Sequence, residues 1–260
     1  MSAKSGIEWT DHSWSPWIGC EKVSPACDTC YAENDCCLRF HHVEWGPHAE
    51  RKRRAPAYWR KPFAWNRKAE REGVRRRVFF AHYADVFDNK VPPEWRAEAF
   101  DIVRATRSLD WLILTKRPQN VLKMLPADWG DGWPNVWLGV TAENQTEAAR
   151  RLPILSSLPA AVRFVSAEPL LEKVEFTQWL DRINWVICGG ETDPQKKGRE
   201  RFMDPDWARD LLRQCREAGV PFFMKQMTGR SPIPADLLVR EWPADLREAA
   251  PGALPRRQGG

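Results

Sequence analysis

The sequence predicts an α/β chain folded as a partial (β/α) barrel of about six to seven parallel strands, with an N-terminal cysteine loop and a basic helical insertion. Three observations carry the prediction. Six short apolar runs alternate with longer amphipathic stretches: Val78–Tyr83, Trp111–Thr115, Val136–Val140, Val162–Ser166, Trp185–Cys188 and Val220–Met224. Each is too short for a helix and too apolar for a half-exposed strand, as parallel strands buried on both faces should be. Their starts fall roughly 22 to 36 residues apart, the interval of successive βα units with right-handed crossovers. Finally, every run ends in polar residues, and in such barrels function collects at the C-terminal strand ends.

The elements follow in order. Trp14-Ser15-Pro16-Trp17-Ile18-Gly19 supplies an opening strand ahead of the six runs. A helix over Glu94–Arg107 starts behind Val91-Pro92-Pro93, and another covers Gln145–Leu155. A third runs Pro205–Ala218 with Asp204 as N-cap, proline at the first helical position and Gly219 closing it. The polar strand ends read Asp85, then Thr115-Lys116-Arg117, then Thr141 and Glu143. Ser166 and Glu168 follow, then Gly189-Gly190-Glu191 and Lys225-Gln226. Nothing resembling a linker divides the chain, so one domain is expected over residues 1–243, with 39–77 as the insertion and 244–260 as a Pro/Gly/Arg-rich tail.

Composition narrows the function. At 43% hydrophobic and 29% charged the 260 residues exclude a disordered or collagen-like chain. No apolar stretch approaches the ~20 residues of a bilayer crossing, and Met1–Gly6 lacks the apolar core of a signal peptide, so no membrane partner and a cytoplasmic location are expected. The net charge of +5 is local in origin. Residues 39–77 hold 13 Lys or Arg against 4 Asp or Glu, and the rest of the chain is net negative. Arg51-Lys52-Arg53-Arg54 and Arg75-Arg76-Arg77 bracket Tyr58, Trp59, Phe63 and Trp65. Cations interleaved with aromatics suit a phosphate backbone with stackable bases, and a solvated helix anchored by tryptophan is the competing reading.

Seven cysteines is an odd number, which argues against a disulfide framework. Cys188 and Cys215 stand alone in apolar or helical contexts and read as core thiols. Cys20, Cys27 and Cys30 form a C-x6-C-x2-C set: a short pair that grips neighbouring positions of a metal, and a third thiolate from a longer loop turned by Ser24-Pro25. A structural zinc would take a fourth ligand from Cys36, Cys37, His41 or His42. An iron-sulfur cluster on three thiolates would instead keep one iron open for a small molecule. The trio stands at the head of a βα series rather than in a separate module, which favours the open cluster.

These features together resemble the radical S-adenosylmethionine superfamily, in which three cysteines hold a [4Fe-4S] cluster whose fourth iron chelates the amino and carboxylate groups of S-adenosylmethionine (AdoMet). More closely, the chain resembles a phage and bacterial three-cysteine family of unknown function. The likeness rests on Ile7-Glu8-Trp9-Thr10, Gly19-Cys20 through Cys30-Tyr31-Ala32, Leu114-Thr115-Lys116-Arg117-Pro118, Trp137-Leu138-Gly139-Val140 and Glu168-Pro169-Leu170-Leu171, with Trp185–Glu191 and Phe223–Gln226. The spacing departs from the superfamily's C-x3-C-x2-C, and Tyr83-Ala84-Asp85 replaces its Gly-Gly-Glu. The spore photoproduct lyase group has a Ser/Thr-Asp pair there and Thr-Lys on the next strand, which Thr115-Lys116 matches.

The resemblance implies an enzyme that cleaves AdoMet reductively with an external electron donor, acting on a nucleobase in DNA or RNA. Cys20, Cys27 and Cys30 would ligate iron. Asp85 would accept from the cofactor amino group, Lys116 or Arg117 would answer its carboxylate, and Thr115 would also belong to the cofactor site. Glu143 and Ser166 would meet the ribose, and Tyr31 would pack on the cofactor. Gly189, Gly190 and Glu191 would lie at the adenine or substrate end. Glu168, Lys225 and Gln226, with Arg53, Arg54 and Trp59 of the insertion, would contact substrate. A zinc-stabilised nucleic-acid-binding protein without catalysis is the alternative, and a metal-free hydrolase built on Asp85, Glu143 and Glu168 is a third.

Overall fold

A computed structural model describes residues 5–39, 43–193 and 198–243. His41, His42 and the tail 244–260 therefore lie outside the described residues. The chain forms β1 (His12–Trp14), β2 (Trp17–Ile18), β3 (Lys52–Arg53), β4 (Arg76–Phe80) and β5 (Leu109–Thr115), followed by β6 (Val136–Thr141), β7 (Val162–Ala167), β8 (Trp185–Gly189) and β9 (Phe222–Gln226). Seven of these make one parallel sheet in the order β1-β4-β5-β6-β7-β8-β9, so chain order and spatial order coincide and the sheet curls into a half-barrel with helices outside. This is the partial barrel that the apolar runs predict. Among the described residues no helix is long and apolar enough to cross a membrane.

Alternation along the strands explains why the runs look uniformly apolar. Val78, Phe80, Trp111, Ile113, Leu138 and Val186 face the helices, in a layer that includes Phe100, Leu152 and Leu211. Their neighbours Phe79, Leu112, Trp137, Phe164, Trp185 and Phe223 fill the barrel interior, where Trp9 packs 4.8 Å from Phe79 as a plug. Gly139 makes room for this filling: a Cβ there would stand 2.4 Å from the Phe164 ring.

Four boundaries differ from the sequence expectation. The opening strand breaks at Ser15-Pro16, so β1 joins the sheet through Ser13↔Phe79 while β2 turns away to pair antiparallel with β3, Trp17 opposite Arg53. β4 stops at Phe80 because Ala81 adopts φ 63°, so Tyr83 falls in a loop. The insertion ends earlier than expected, since Arg76 and Arg77 are β4 residues; its helix is Lys61–Glu72. β9 starts after Pro221 and takes in Lys225 and Gln226, which the sequence placed just beyond it.

The helices form where their caps are. Pro93–Ala105 and Pro205–Glu217 begin with proline at the first position, and Asp204 accepts Asp206 N–H at 2.9 Å. Gln145–Ser157 is capped by Asn144, which accepts Glu147 N–H at 2.8 Å. Gly219, at φ 67°, lets Val220 N–H reach back to Cys215 O at 2.8 Å.

Candidate AdoMet and iron-sulfur site

At the C-terminal strand ends lies a cleft of about 1360 Å³. Cys20, Cys27 and Cys30 line it together with Tyr31, Asp85, Thr115, Lys116, Arg117, Ser166, Glu168, Gly190, Glu191, Lys225 and Gln226. Glu143, Gly189, Arg53, Arg54 and Trp59 do not line it.

The cysteine loop is fastened from below by two buried carboxylates. Glu143, just past β6, accepts Ala26 N–H at 3.1 Å and pairs with Arg151 at 2.9 Å. Burial alone would raise its pKa, but the Arg151 charge and the Ala26 N–H hold it below the usual carboxylate range. Glu191, past β8, accepts Thr29 Oγ1 at 2.7 Å and Arg201 N–H at 2.8 Å, and takes the Arg201 guanidinium as well. Arg201 in turn donates to Pro25 O at 2.9 Å and pairs with Asp28 at 3.1 Å. These are not free ligand groups. Both carboxylates spend their lone pairs holding the segment between Cys20 and Cys30.

A second network runs from β4 to the first thiol. The Asp85 carboxylate accepts from Phe87 N–H at 2.9 Å, Thr115 Oγ1 at 2.7 Å, Lys116 N–H at 3.1 Å and Arg117 Nη1 at 3.1 Å. Four donors occupy its acceptor capacity. Arg117 Nη1 also stands 3.6 Å from Cys20 Sγ, and Nη2 donates to Glu21 O at 3.3 Å. Burial pushes the Cys20 thiol up to about 12, with the Asp85 charge adding to the rise and Arg117 opposing it. Lys116 is held above its ordinary pKa: burial works against the charge, and the Cys27 and Cys30 sulfurs beside it prevail. Two cations of one strand end therefore face the three thiols.

All seven cysteines are free thiols. Cys188 and Cys215 are fully buried in the core, as their context suggested. Among the described residues no three His, Cys, Asp or Glu side chains gather as tightly as one metal ion requires. A tetrahedral zinc with bonds of about 2.3 Å needs its sulfurs roughly 4 Å apart, whereas a four-iron cube bridges a wider triangle of thiolates. The chemistry of the donor set suits the larger group: three thiols line the same cleft, with Arg117 beside Cys20 and Lys116 beside Cys27 and Cys30.

Also lining the cleft, Glu168 pairs with Lys225 and receives Gln226 Nε2 at 3.4 Å, so these three act as one unit. Gly190 permits a close approach, but to the chain itself: a Cβ would lie 2.3 Å from Thr228 N. Tyr31 donates through Oη to His82 O at 2.8 Å. The insertion spends much of its charge internally. Arg51 and Asp88 pair at 2.7 Å, both fully buried, and Arg53 pairs with Glu98 while stacking 3.9 Å over Trp59. Trp59 is buried against Trp14 and Trp17, so it serves the core. Arg54 stacks over Tyr58 at 4.0 Å.

Sequence reasoning missed Arg151, Arg201 and Trp9 as parts of the site. Arg151 had a readable signal, since it shares a helix face with Ala148, Leu152 and Leu155, where only a partner explains an arginine. Arg201 had none.

A seven-stranded half-barrel is the architecture that comparison also finds. The chain is similar in fold to a spore photoproduct lyase mutant solved with bound AdoMet and a dinucleoside spore photoproduct. The TM-score is 0.52 at 11% sequence identity, over 85% of this chain and 78% of that one. No curated protein matches the chain. By sequence, the chain belongs to DUF5131, a family described as protein of unknown function, over residues 4–241.

Proposed function

We propose that this chain is a radical AdoMet enzyme acting on a nucleobase in DNA or RNA, in repair or modification. The observation that carries the reading is that the C-x6-C-x2-C thiols all line the strand-end cleft, with Lys116 and Arg117 beside them. A [4Fe-4S] cluster held by Cys20, Cys27 and Cys30, fed by an external electron donor, would supply the electron that cleaves AdoMet reductively. Lys116 and Arg117 offset the negative charge of the thiolates, and Lys116 meets the cofactor carboxylate. Asp85 acts through Arg117 and Thr115 rather than on the cofactor. Ser166 and its neighbour across the ladder, Thr141, whose buried hydroxyl has no partner among the described residues, offer hydroxyls to the ribose.

The cleft exceeds the ~300–1,000 Å³ that one drug-sized ligand fills, which leaves room for a substrate beside the cofactor. Trp9, Trp45, Trp65 and Phe79 line it and favour a planar group, which must reach the cleft unpaired. Glu168, Lys225 and Gln226, which also line the cleft, orient that group.

Anaerobic reconstitution with iron and sulfide tests the reading. The expected protein is brown, absorbs broadly near ~400 nm through thiolate-ligated iron, loses the band on Cys27→Ala, and releases 5′-deoxyadenosine from AdoMet after reduction. A fully loaded cluster that releases none, with varied nucleic acids supplied, overturns it.

A further inference from the structure

His82 lies in the loop after β4, lines the cleft, and has no role in either network described above. The backbone is bent to put it there. Ala81, buried and not a glycine, takes φ 63° and donates its N–H to Trp14 O at 2.6 Å. A left-handed alanine is unfavourable on its own, so the surrounding packing enforces it, and such enforced conformations concentrate at functional positions.

The hydrogen-bond economy around Ser15 assigns the tautomer of the ring. Ser15 is fully buried, its Oγ accepts Tyr83 N–H at 2.9 Å, and it stands 3.0 Å from His82 Nδ1. The hydroxyl proton has one acceptor within reach among the described residues, and that is Nδ1. A proton on Nδ1 instead would strand the buried hydroxyl proton without an acceptor, the costlier arrangement. The proton therefore sits on Nε2, the ring nitrogen that does not meet Ser15, and His82 is one of the residues lining the cleft.

The ring is also uncharged and flanked by aromatics. Burial, with the Arg54 charge adding to it, lowers its pKa from 6.5 to about 3. Tyr83 lies 4.1 Å from it, centroid to centroid, and Phe79 6.4 Å, with Trp9 beyond Phe79. A neutral N–H donor beside an aromatic platform suits a neutral acceptor on a planar ring. A phosphate would call for a cation.

Resting on the reading that a nucleobase is the substrate, we propose that His82, held by Ser15 with its proton on Nε2, recognises a carbonyl oxygen of that base. Side-chain nitrogen spectra of the full chain test the tautomer without any cofactor. The Nε2–H form is expected for wild type, and a mixture for Ser15→Ala. Fluorescence anisotropy with a ten-nucleotide thymidine strand, whose bases carry carbonyls, and an adenosine strand, whose bases carry none, tests recognition. Wild type should prefer thymidine, His82→Phe should shrink that preference about three- to tenfold, the value of one hydrogen bond, and His82→Gln should retain most of it. If His82→Phe fails to fold, Ser15→Ala should show a partial loss of the same preference. An Nδ1–H tautomer, an unchanged preference in the variants, or a wild type that binds neither strand overturns the assignment. Absence of 5′-deoxyadenosine with these results intact removes only the radical reading.

Discussion

Glu143 and Arg151 meet at 2.9 Å with both side chains withdrawn from solvent, and the same carboxylate accepts Ala26 N–H of the cysteine loop. A pair that Coulomb attraction and one backbone donor jointly satisfy is costly to halve. Glu143→Ala leaves Arg151 buried with Glu147 as its one carboxylate and the Thr141 carbonyl, and should lower stability by about 3–5 kcal/mol in urea unfolding. The iron bound per chain after reconstitution should fall as well, though every thiol remains. Full iron loading in this variant would show that the clamp does not organise the loop.

Five of the seven thiols should divide cleanly. Cys20→Ala, Cys27→Ala and Cys30→Ala should each abolish the iron-dependent absorbance. Cys188→Ala and Cys215→Ala, which touch only core, should keep it at a stability cost of about 1 kcal/mol. Iron analysis of the five variants decides the matter, and loss of iron from either core variant would contradict it.

Gly139 lies under the Phe164 ring, where an added Cβ would stand 2.4 Å from ring carbons. Gly139→Ala should therefore displace an aromatic that has no empty space to enter, at a cost of about 1–3 kcal/mol in thermal or urea unfolding. A wild-type melting temperature would mean that the interior is looser than its packing indicates.

The His82 environment sets a pH dependence. Its folded pKa is about 3 against an ordinary 6.5, so between these values the unfolded chain holds a proton that the folded chain refuses. Stability is full above pH 6.5 and declines as pH falls toward 3. His82→Gln removes this contribution, so the variant should lose less stability than wild type between pH 7 and 4.5 in urea titrations. Parallel losses would place the ring in water.

The half-barrel was legible because parallel strands buried on both faces write themselves as unbroken apolar runs, and because the chain lays them down in spatial order. The strand-end rule located Asp85, Thr115, Lys116, Ser166 and Glu168 in the cleft wall. It could not tell a group that faces a ligand from one that faces the loop above it. Glu143 and Glu191 look the same as Ser166 in sequence, yet their partners, Ala26 and Arg201, lie far along the chain or across a loop. The basic insertion carries less free charge than its sequence suggests for a related reason: arginines read as a patch one by one, while Asp88 and Glu98, which pair with Arg51 and Arg53, sit 37 and 45 residues away.

The short ribbon in which Ile18 opposes Lys52 has a mechanical consequence. Two backbone rungs below Cys20 belong to the charged arm, so the first thiol cannot shift unless that arm shifts with it. Shortening the arm would take away a strut of the cysteine loop, and the damage would register as altered sulfur placement before any change in surface charge was felt.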